Sequence, residues 1–434
     1  MKRILLLLLF LALLNACGDE EGSPANGSVT TGLQLEKVVL DGSLSPSPTD
    51  IAFFPGTSTR FLVTTQGGVV DYFDLDISQG SINSVNIAST GTGGIGVVSG
   101  GEQGLLNIEF HPDYATNNFV FFYHTSVAST VNSISRMTVG FLGGDLTLSD
   151  PVKIIDMRKG SASVAPNHNG GGMVFAPDGT LIGSVGDGGG NAASAQNQRS
   201  LLGSVFRISP SLATGVGGYT IPSGNMFTNT NTQCSDLVSG DAGQDGCPEI
   251  LAMGLRNPFR LSIDGNQLYI GDVGTSGPGH EEINSFNYLT NGNPVNFGWN
   301  IHIGPVATSG ISGYKNPILS YSRTDSTADR FRAEDPQGTN TTVASIIIGD
   351  VYRGTRYSEL VDGYLLHGEF MDGFIRGQGV DASGNLLGTG VHLAHHNGVS
   401  AMVQGPDGYI YITTQASGYT SGPNMVYRLV YASP

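Results

Sequence analysis

Short runs of alternating apolar and polar residues, each broken by a turn, recur along the chain. The clearest copies are LNIEFHPDYATNNFVFFYHT, MVFAPDGTLIGSVGDGG, LSIDGNQLYIGDVG and MVQGPDGYIYITTQASG, and two weaker copies are IAFFPGTSTRFLVTTQGG and YRGTRYSELVDGYLLHGEFMDG. In each unit two strands with a period of two flank a turn, often Pro-Asp-Gly. Six such units predict an all-β fold, a six-bladed β-propeller of four-stranded antiparallel blades. The final MVYRLVYASP predicts a strand that completes a blade begun near the N-terminus.

Composition supports strands and turns and narrows the range of partners. Of 434 residues 64 are glycine and 13% are charged, which is atypical of a helical protein. The 20 Lys and Arg against 36 Asp and Glu give a net charge of −16, which repels nucleic acid. We therefore expect no nucleic-acid partner, and cations or neutral small molecules suit the protein better.

The first 17 residues, MKRILLLLLFLALLNAC, have the pattern of an export signal. A basic start precedes an apolar run that is too short to span a membrane. Leu14, Asn15, Ala16 and Cys17 resemble a bacterial lipoprotein cleavage box, although an ordinary signal peptide with an incidental cysteine is the alternative. Residues 18–34 are predicted to be a flexible tether and residues 35–434 the propeller domain. We expect an exported cell-envelope lipoprotein, on the periplasmic side of the outer membrane or on the cell surface, that contacts the membrane through its lipid anchor only.

Cys234 and Cys247 remain when the signal segment is set aside. They lie 13 residues apart in a Gly- and Asp-rich stretch, and this spacing matches no four-ligand zinc pattern. In an exported protein such a pair predicts a disulfide that pins a long insertion.

Unusual polar motifs lie where the repeats end in loops. They are GEQGLLNIEFHPDY, NHNGGGMVFAPDG, GDGGGN, GLRNPFRLS, GPGHEEIN and NFGWN. Because propeller loops converge on one face around the central channel, residues distant in sequence can meet there. The candidates for such a site are Gln103, His168, Asn169, Asp187, Arg256 and Asn257. Taken singly, Asp187, Arg256 and Asn257 are also typical of turn residues that bond nearby backbone.

The order of these motifs resembles the glucose, aldose sugar and sorbosone dehydrogenase family, a group of six-bladed propellers that bind pyrroloquinoline quinone (PQQ) and calcium. Hedgehog-interacting proteins share this domain. The resemblance covers roughly residues 35–430. It implies an enzyme that oxidises an aldose sugar or another alcohol and passes electrons to an acceptor that the sequence does not identify.

The resemblance also implies roles for individual residues. His168 matches the general base that takes a proton from the sugar hydroxyl as hydride moves to the quinone, and Asp187 matches the acid that orients it. Arg256 matches the arginine beside the reactive quinone oxygens. Asn257, Gln103 and Asn169 are expected to line the cofactor pocket. A neutral imidazole held by a carboxylate is a suitable base near neutral pH.

A calcium site is expected in GPGHEEIN. The resemblance assigns the backbone carbonyls of Gly277 and Pro278 to the ion. Glu281 and Glu282 follow directly and offer the hard oxygen ligands that calcium prefers. A solvated acidic turn is the alternative.

Three positions depart from the family pattern. The family holds the PQQ carboxylates with a lysine and two arginines, and these positions align here with Met371, Gly398 and Ser400. Because a charge-assisted hydrogen bond is worth about 1.5–3 kcal/mol, losing three would weaken PQQ binding by several powers of ten. His395, His396 and Arg376 are candidates to compensate. Two interpretations stay open: a quinoprotein with a divergent cofactor grip, and a propeller that has lost the cofactor and binds a glycan, a metal or a protein.

Overall fold

The computed structural model describes residues 32–39, 42–76, 83–86, 96–127, 131–159, 166–227, 233–235, 246–275, 279–322, 326–335, 337, 345–416 and 423–432. The signal segment with Cys17 and most of the tether therefore lie outside the described residues, as do Gly277 and Pro278.

Six small antiparallel sheets make up the described part of the chain, which confirms the six-bladed propeller. The strands of the first three blades are β2 (Pro48–Phe53), β3 (Arg60–Thr65), β4 (Val70–Asp76) and β5 (Asn83–Asn86); β6 (Leu105–Phe110), β7 (Phe119–Thr125), β8 (Val131–Leu142) and β9 (Asp145–Arg158); and β10 (Met173–Phe175), β11 (Leu181–Val185), β12 (Ser204–Pro210), β13 (Tyr219–Thr220) and β14 (Ile250–Met253). The third blade differs from a simple four-stranded sheet because β13 and β14 both pair with β12.

The remaining three blades follow the predicted order. Their strands are β15 (Pro258–Asp264), β16 (Gln267–Asp272), β17 (His280–Asn287) and β18 (Leu319–Ser322); β19 (Ile346–Tyr352), β20 (Tyr364–Glu369), β21 (Phe374–Val380) and β22 (Leu386–His395); and β23 (Val399–Gln404), β24 (Ile410–Thr414) and β25 (Met425–Tyr431), completed by β1 (Leu33–Lys37). The short helices are α1 (Tyr114–Asn117), the 3₁₀ helix Ala192–Gln196, α2 (Ser326–Glu334) and α3 (Ser358–Val361). Among the described residues, none of these helices has the length and apolar character needed to cross a membrane.

The two ends of the chain close the ring. Strand β1 pairs antiparallel with β25, from Leu33 opposite Tyr431 to Lys37 opposite Tyr427. The C-terminal strand thus completes a blade with an N-terminal strand, as the sequence predicts. Strand β1 begins two residues before the predicted start of the domain at residue 35.

The cysteine prediction is also confirmed. Cys234 and Cys247 form a disulfide, with their Cα atoms 5.5 Å apart. Both are buried against the core between the second and third blades. The bond joins Cys234, within the insertion that separates β13 from β14, to Cys247 just before β14.

One face of the ring gathers the polar motifs. Strands β2, β6, β10, β15, β19 and β23 are the first strands of their blades, and residues from all six line the central channel. The second strand of each blade runs antiparallel to the first, so its end meets the beginning of the first strand. Loops that precede the first strands and loops that follow the second strands therefore share one face.

Candidate active site

A histidine and an aspartate form the centre of the site. His168 lies in the loop before β10 and Asp187 just after β11, so both reach the same face. His168 Nδ1 lies 2.6 Å from Asp187 Oδ1, and both residues are buried. Because a carboxylate accepts the Nδ1 proton, the Nε2 atom of the neutral ring is left as a proton acceptor.

Asp187 has further donors. Its Oδ1 accepts from the Gly189 amide at 2.8 Å and its Oδ2 from Trp299 Nε1 at 2.9 Å. Burial opposes ionisation, but the hydrogen bond and charge of His168 together with the Gly189 and Trp299 donors outweigh it, and the pKa of Asp187 is lowered. The aspartate thus remains an anion that fixes the orientation of the imidazole.

The backbone of His168 is held in an uncommon conformation. Its φ is +53°, in the left-handed region that residues other than glycine rarely adopt. Glu102 Oε2 accepts a hydrogen bond from His168 N at 2.7 Å. A side chain at Gly186 is excluded because its Cβ would lie 2.4 Å from His168 O. Such strain at a position over-determined by its neighbours is typical of functional sites.

Glu102 connects the loops before three successive blades. The same Oε2 that binds His168 N also accepts from Asn257 Nδ2 at 3.0 Å. Asn257 Oδ1 in turn accepts from Gly170 N at 3.0 Å. Glu102 and Asn257 therefore fix the loop on both sides of His168. The sequence prediction missed Glu102, although it lies in the motif GEQG, because a single acidic residue in a glycine-rich loop also fits a solvated turn.

Arg256 lies beside this network. Its carbonyl accepts from Asp187 N at 2.8 Å and its Nη1 donates to Val273 O at 2.8 Å. The guanidinium carbon lies 5.8 Å from the centre of the Trp299 ring. The structure thus brings His168, Asp187, Arg256 and Asn257 together. Trp299, which the sequence prediction did not single out within NFGWN, completes the group.

A buried carboxylate accepts hydrogen bonds from the backbone of Arg256 and Asn257. Asp272 accepts from the backbone N of Arg256 at 3.0 Å and of Asn257 at 2.7 Å. Burial raises the pKa of Asp272 to about 7 despite these hydrogen bonds. This residue ends β16 and has no sequence signal beyond its place in GDVG.

A lysine adds positive charge next to the dyad. Lys159 is buried, and its Nζ donates to Asn167 O at 3.2 Å. Burial lowers the pKa of Lys159 to about 8, although the charges of Glu102 and Asp187 oppose that shift. The sequence prediction did not identify this residue.

Two further predicted residues lie in the same loops. Gln103 is buried directly after Glu102. Asn169 follows His168, and its carbonyl accepts from Tyr123 Oη at 2.8 Å and Asn132 Nδ2 at 3.0 Å. Asn169 Oδ1 is buried and has no hydrogen-bond partner in the described part of the chain, so it remains open to a donor from a bound molecule.

The structure does not bring the two predicted metal-site glutamates together. Glu281 and Glu282 are adjacent on β17, so they point to opposite faces of the sheet. Glu281 Oε2 accepts from Gly274 N at 3.3 Å and from Ile346 N at 3.1 Å, whereas Glu282 Oε1 accepts from Gly304 N at 3.0 Å. Glu282 pairs across the strands with Asp272. Burial first and the charge of Asp272 second raise the pKa of Glu282 to about 8.

The three expected cofactor-binding cations are absent from their aligned positions. Met371 follows β20 and Gly398 precedes β23, so both lie on the face that carries His168. Gly398 has φ +84°, which an arginine adopts only with strain. Ser400 is buried, and its Oγ bonds Pro48 O and Thr413 Oγ1 at 2.9 Å each.

The candidate compensating cations are already engaged. Arg376 Nη1 lies 2.7 Å from Glu334 Oε2, and His395 Nδ1 lies 2.6 Å from Asp335 Oδ2. His396 Nδ1 lies 2.6 Å from Asn397 O. Beside Met371, Asp372 is paired with Arg332 at 2.9 Å. The donor set therefore fits a quinone at its reacting end, through Arg256 and His168, and does not supply the family's cations for its carboxylates.

Comparisons with known proteins agree with the fold. The family model for glucose/sorbosone dehydrogenase matches residues 45–421. The chain belongs to this family. It is 26% identical over 445 residues to the HIPL1 protein of Arabidopsis thaliana, covering 88% of this chain and 57% of the relative. It is 24% identical over 274 residues to aldose sugar dehydrogenase YliI of Escherichia coli, covering 62% of each. The chain thus spans less than two thirds of the length of these two relatives.

A solved structure shows the same fold. The PQQ-bound form of aldose sugar dehydrogenase from Streptomyces coelicolor superposes with a TM-score of 0.63 at 20% identity, over 92% of this chain and 98% of that chain. The protein is therefore a six-bladed propeller of the glucose/sorbosone dehydrogenase family.

Proposed function

We propose that the protein oxidises an aldose sugar or another small alcohol. The observation that carries this proposal is the His168–Asp187 pair, with Arg256, Asn257 and Trp299 around it, on the loop face of the ring. An imidazole that is anchored at Nδ1 and free at Nε2 is suited to take a proton from a hydroxyl group. A bound quinone, when present, supplies the acceptor for the hydride.

The residues of the chain perform the remaining tasks. Asp187 stabilises the imidazolium that forms at His168, and Glu102 keeps the His168 backbone in position. The guanidinium of Arg256 is suited to stabilise negative charge that develops on an oxygen beside it. His168 is buried, so bulk solvent has little access to its imidazole.

Calcium is part of the proposal. Asp272 is buried and its cross-strand neighbour Glu282 is half-buried, and such a pair of carboxylates is stabilised by a nearby cation. Gly277 and Pro278, whose carbonyls the family resemblance assigns to the ion, lie outside the described residues. Glu281 faces the fifth blade instead, so we assign Glu282 and not Glu281 to this neighbourhood.

The test is a reconstitution assay. Purified protein is incubated with PQQ and calcium, and reduction of an artificial electron-accepting dye is followed with a panel of aldoses and small alcohols. Activity that needs both PQQ and calcium, and that His168→Gln abolishes while the variant keeps its melting temperature, is the expected result. Dye reduction that His168→Gln leaves unchanged, or no reduction with any sugar or alcohol at saturating PQQ, would reject the proposal.

A further inference from the structure

A polar cavity, separate from the candidate active site, occupies the central channel on the side away from His168. It has a volume of about 350 Å³ and is lined by the first strands of all six blades. The cavity reaches Pro55 and Pro406, which lie beyond the ends of β2 and β23. The loop of His168 lies at the opposite ends of these strands. The cavity is therefore separate from the candidate active site.

A buried arginine closes the channel between the two. Arg260, on β15, donates from Nε to Ser400 O at 3.0 Å, from Nη1 to Leu106 O at 2.9 Å and from Nη2 to Thr49 O. These acceptors belong to three other blades and are the second residues of β23, β6 and β2. The guanidinium thus crosses the channel near the beginning of the first strands. All three of these hydrogen bonds end on backbone carbonyl oxygens.

The lining of the cavity carries three carboxylates, and Arg260 is the cation that faces them. Asp50 comes from the first blade, Glu109 from the second and Asp350 from the fifth. Asp50 is held by the amides of Ile51 and Ile108, and Asp350 by the amide of Gln404 at 2.7 Å. Within the described residues no hydrogen bond to the Glu109 carboxylate is present. The cavity is therefore negatively charged when its carboxylates are ionised.

An unpartnered amide independently indicates a ligand. Asn107 lines the same cavity, two residues before Glu109 on β6, so the two side chains lie on one face of the strand. Asn107 is 6% exposed, and its Oδ1 has no hydrogen-bond partner in the described part of the chain. A buried amide oxygen without a donor is costly, and a ligand N–H would satisfy it.

The dimensions favour an organic cation over a bare metal ion. A metal cage needs its oxygens close together, yet among the described residues the only group of three acidic, His or Cys ligand atoms lying within 4.8 Å of one another is Cys234, Cys247 and Glu249. The cavity is also about ten times the volume of a water molecule in the liquid. Ala52, two residues after Asp50 on β2 and so on the same face of that strand, adds apolar lining suited to methylene groups.

We propose that this cavity binds a small aliphatic amine, with its ammonium groups on Glu109 and Asp350 and a donor N–H on Asn107. This site is distinct from the proposed dehydrogenase site and does not depend on it. Burial raises the pKa of Asp350 to about 6 and that of Glu109 well above its ordinary value, and the neighbouring carboxylates add to both shifts. An ammonium ion relieves this repulsion, so binding should strengthen as pH rises from 5 to 8.

The experiment is calorimetric titration of the full protein with 1,4-diaminobutane at low salt. We expect one site and an affinity at least tenfold lower in the double variant Glu109→Gln/Asp350→Asn. Both substitutions keep side-chain shape and remove repulsion, so the variant should fold at least as stably as wild type. Asp145→Asn, an exposed carboxylate on β9, is the matched control and should bind like wild type.

Two further titrations distinguish the alternatives. The uncharged 1,4-butanediol should not bind, because it lacks the ammonium groups. Calcium alone should not compete for the diamine site. The proposal is overturned by equal binding of diol and diamine, by diamine binding that the double variant retains, by no binding of diamine to wild type, or by calcium that binds wild type and displaces the diamine.

Discussion

Asp187 Oδ1 lies 2.6 Å from His168 Nδ1, and the same oxygen accepts from the Gly189 amide. Asp187→Asn should keep the shape of the site and reverse its hydrogen-bonding sense, because an amide can donate to Nδ1 and so favour the wrong tautomer. We expect kcat for sugar oxidation to fall by roughly 10²–10⁴-fold with little change in KM. The measurement is steady-state dye reduction after loading with PQQ and calcium. A variant with unchanged kcat would show that Asp187 does not orient the base.

Glu102 is expected to act as a positioning residue. Glu102→Ala removes the acceptor shared by His168 N and Asn257 Nδ2 and leaves both donors without it. The unfolding free energy should fall by about 0.5–1.5 kcal/mol, because Glu102 is exposed, and kcat by about tenfold. Glu102→Gln keeps an acceptor oxygen and should recover most of both losses. Equal stability and activity of the alanine and glutamine variants would contradict this role.

PQQ should bind weakly to the wild-type protein because its carboxylates lack the family's three cations. Met371→Lys places a cation on the correct face of the ring, and we expect PQQ to bind about 10- to 100-fold more tightly. Met371→Gln is the uncharged control. Isothermal titration with PQQ and calcium measures both. Arginine at Gly398 is not a useful substitution, because φ there is +84°. Tight binding by wild type would mean that other groups hold the carboxylates.

The channel carboxylates predict a pH dependence of stability. Burial raises the pKa of Asp350 in the folded protein from 3.8 to about 6, and the charge of Asp50 adds to the shift. Glu109 and the cation Arg260 face the same cavity. Between about pH 4 and 6 the folded state therefore binds more protons than the unfolded state, so the unfolding free energy falls as pH rises. Because Asp350 is only half-buried and faces a cavity, solvent screens part of this effect, and we expect the unfolding free energy to fall by roughly 1–2 kcal/mol over this range. Asp350→Asn should remove this part of the slope in denaturant unfolding measured from pH 4 to 7. An unchanged slope would contradict the assignment.

The proposed lipid anchor has a direct chemical test. We expect the mature protein in the membrane fraction, with an acyl-modified N-terminus at Cys17, since the motif LNAC precedes an acidic tether. Cys17→Ala should prevent lipid attachment, which mass spectrometry of the N-terminal peptide detects. An unmodified mature N-terminus at another residue in wild type would reject the anchor.

The repeated hairpin units predicted the propeller, and the resemblance of the ordered motifs to a known family singled out His168 and Asp187 as a pair. Period-two strands joined by tight turns, two of them Pro-Asp-Gly, specify hairpins locally, and six such units have few ways to bury their apolar faces other than in a ring. Topology predicted only that the polar motifs at strand ends share one face, and the roles of His168 and Asp187 are what the family resemblance implies. The disulfide prediction follows from the two cysteines that remain once the predicted export signal is set aside.

The residues that connect separate blades could not be identified from the sequence and are seen only in the tertiary structure. Glu102 joins loops whose sequence positions differ by 66 and 155 residues, and a single loop acid carries no signal of such partners. Arg260 has the sequence appearance of an ordinary strand residue, yet it bonds carbonyls of three other blades across the channel. Glu281 and Glu282 form a plausible ligand pair in sequence, but the pleat of β17 turns them to opposite faces. Local patterns fix hairpins, whereas contacts between blades depend on how the closed ring brings distant loops and strands together.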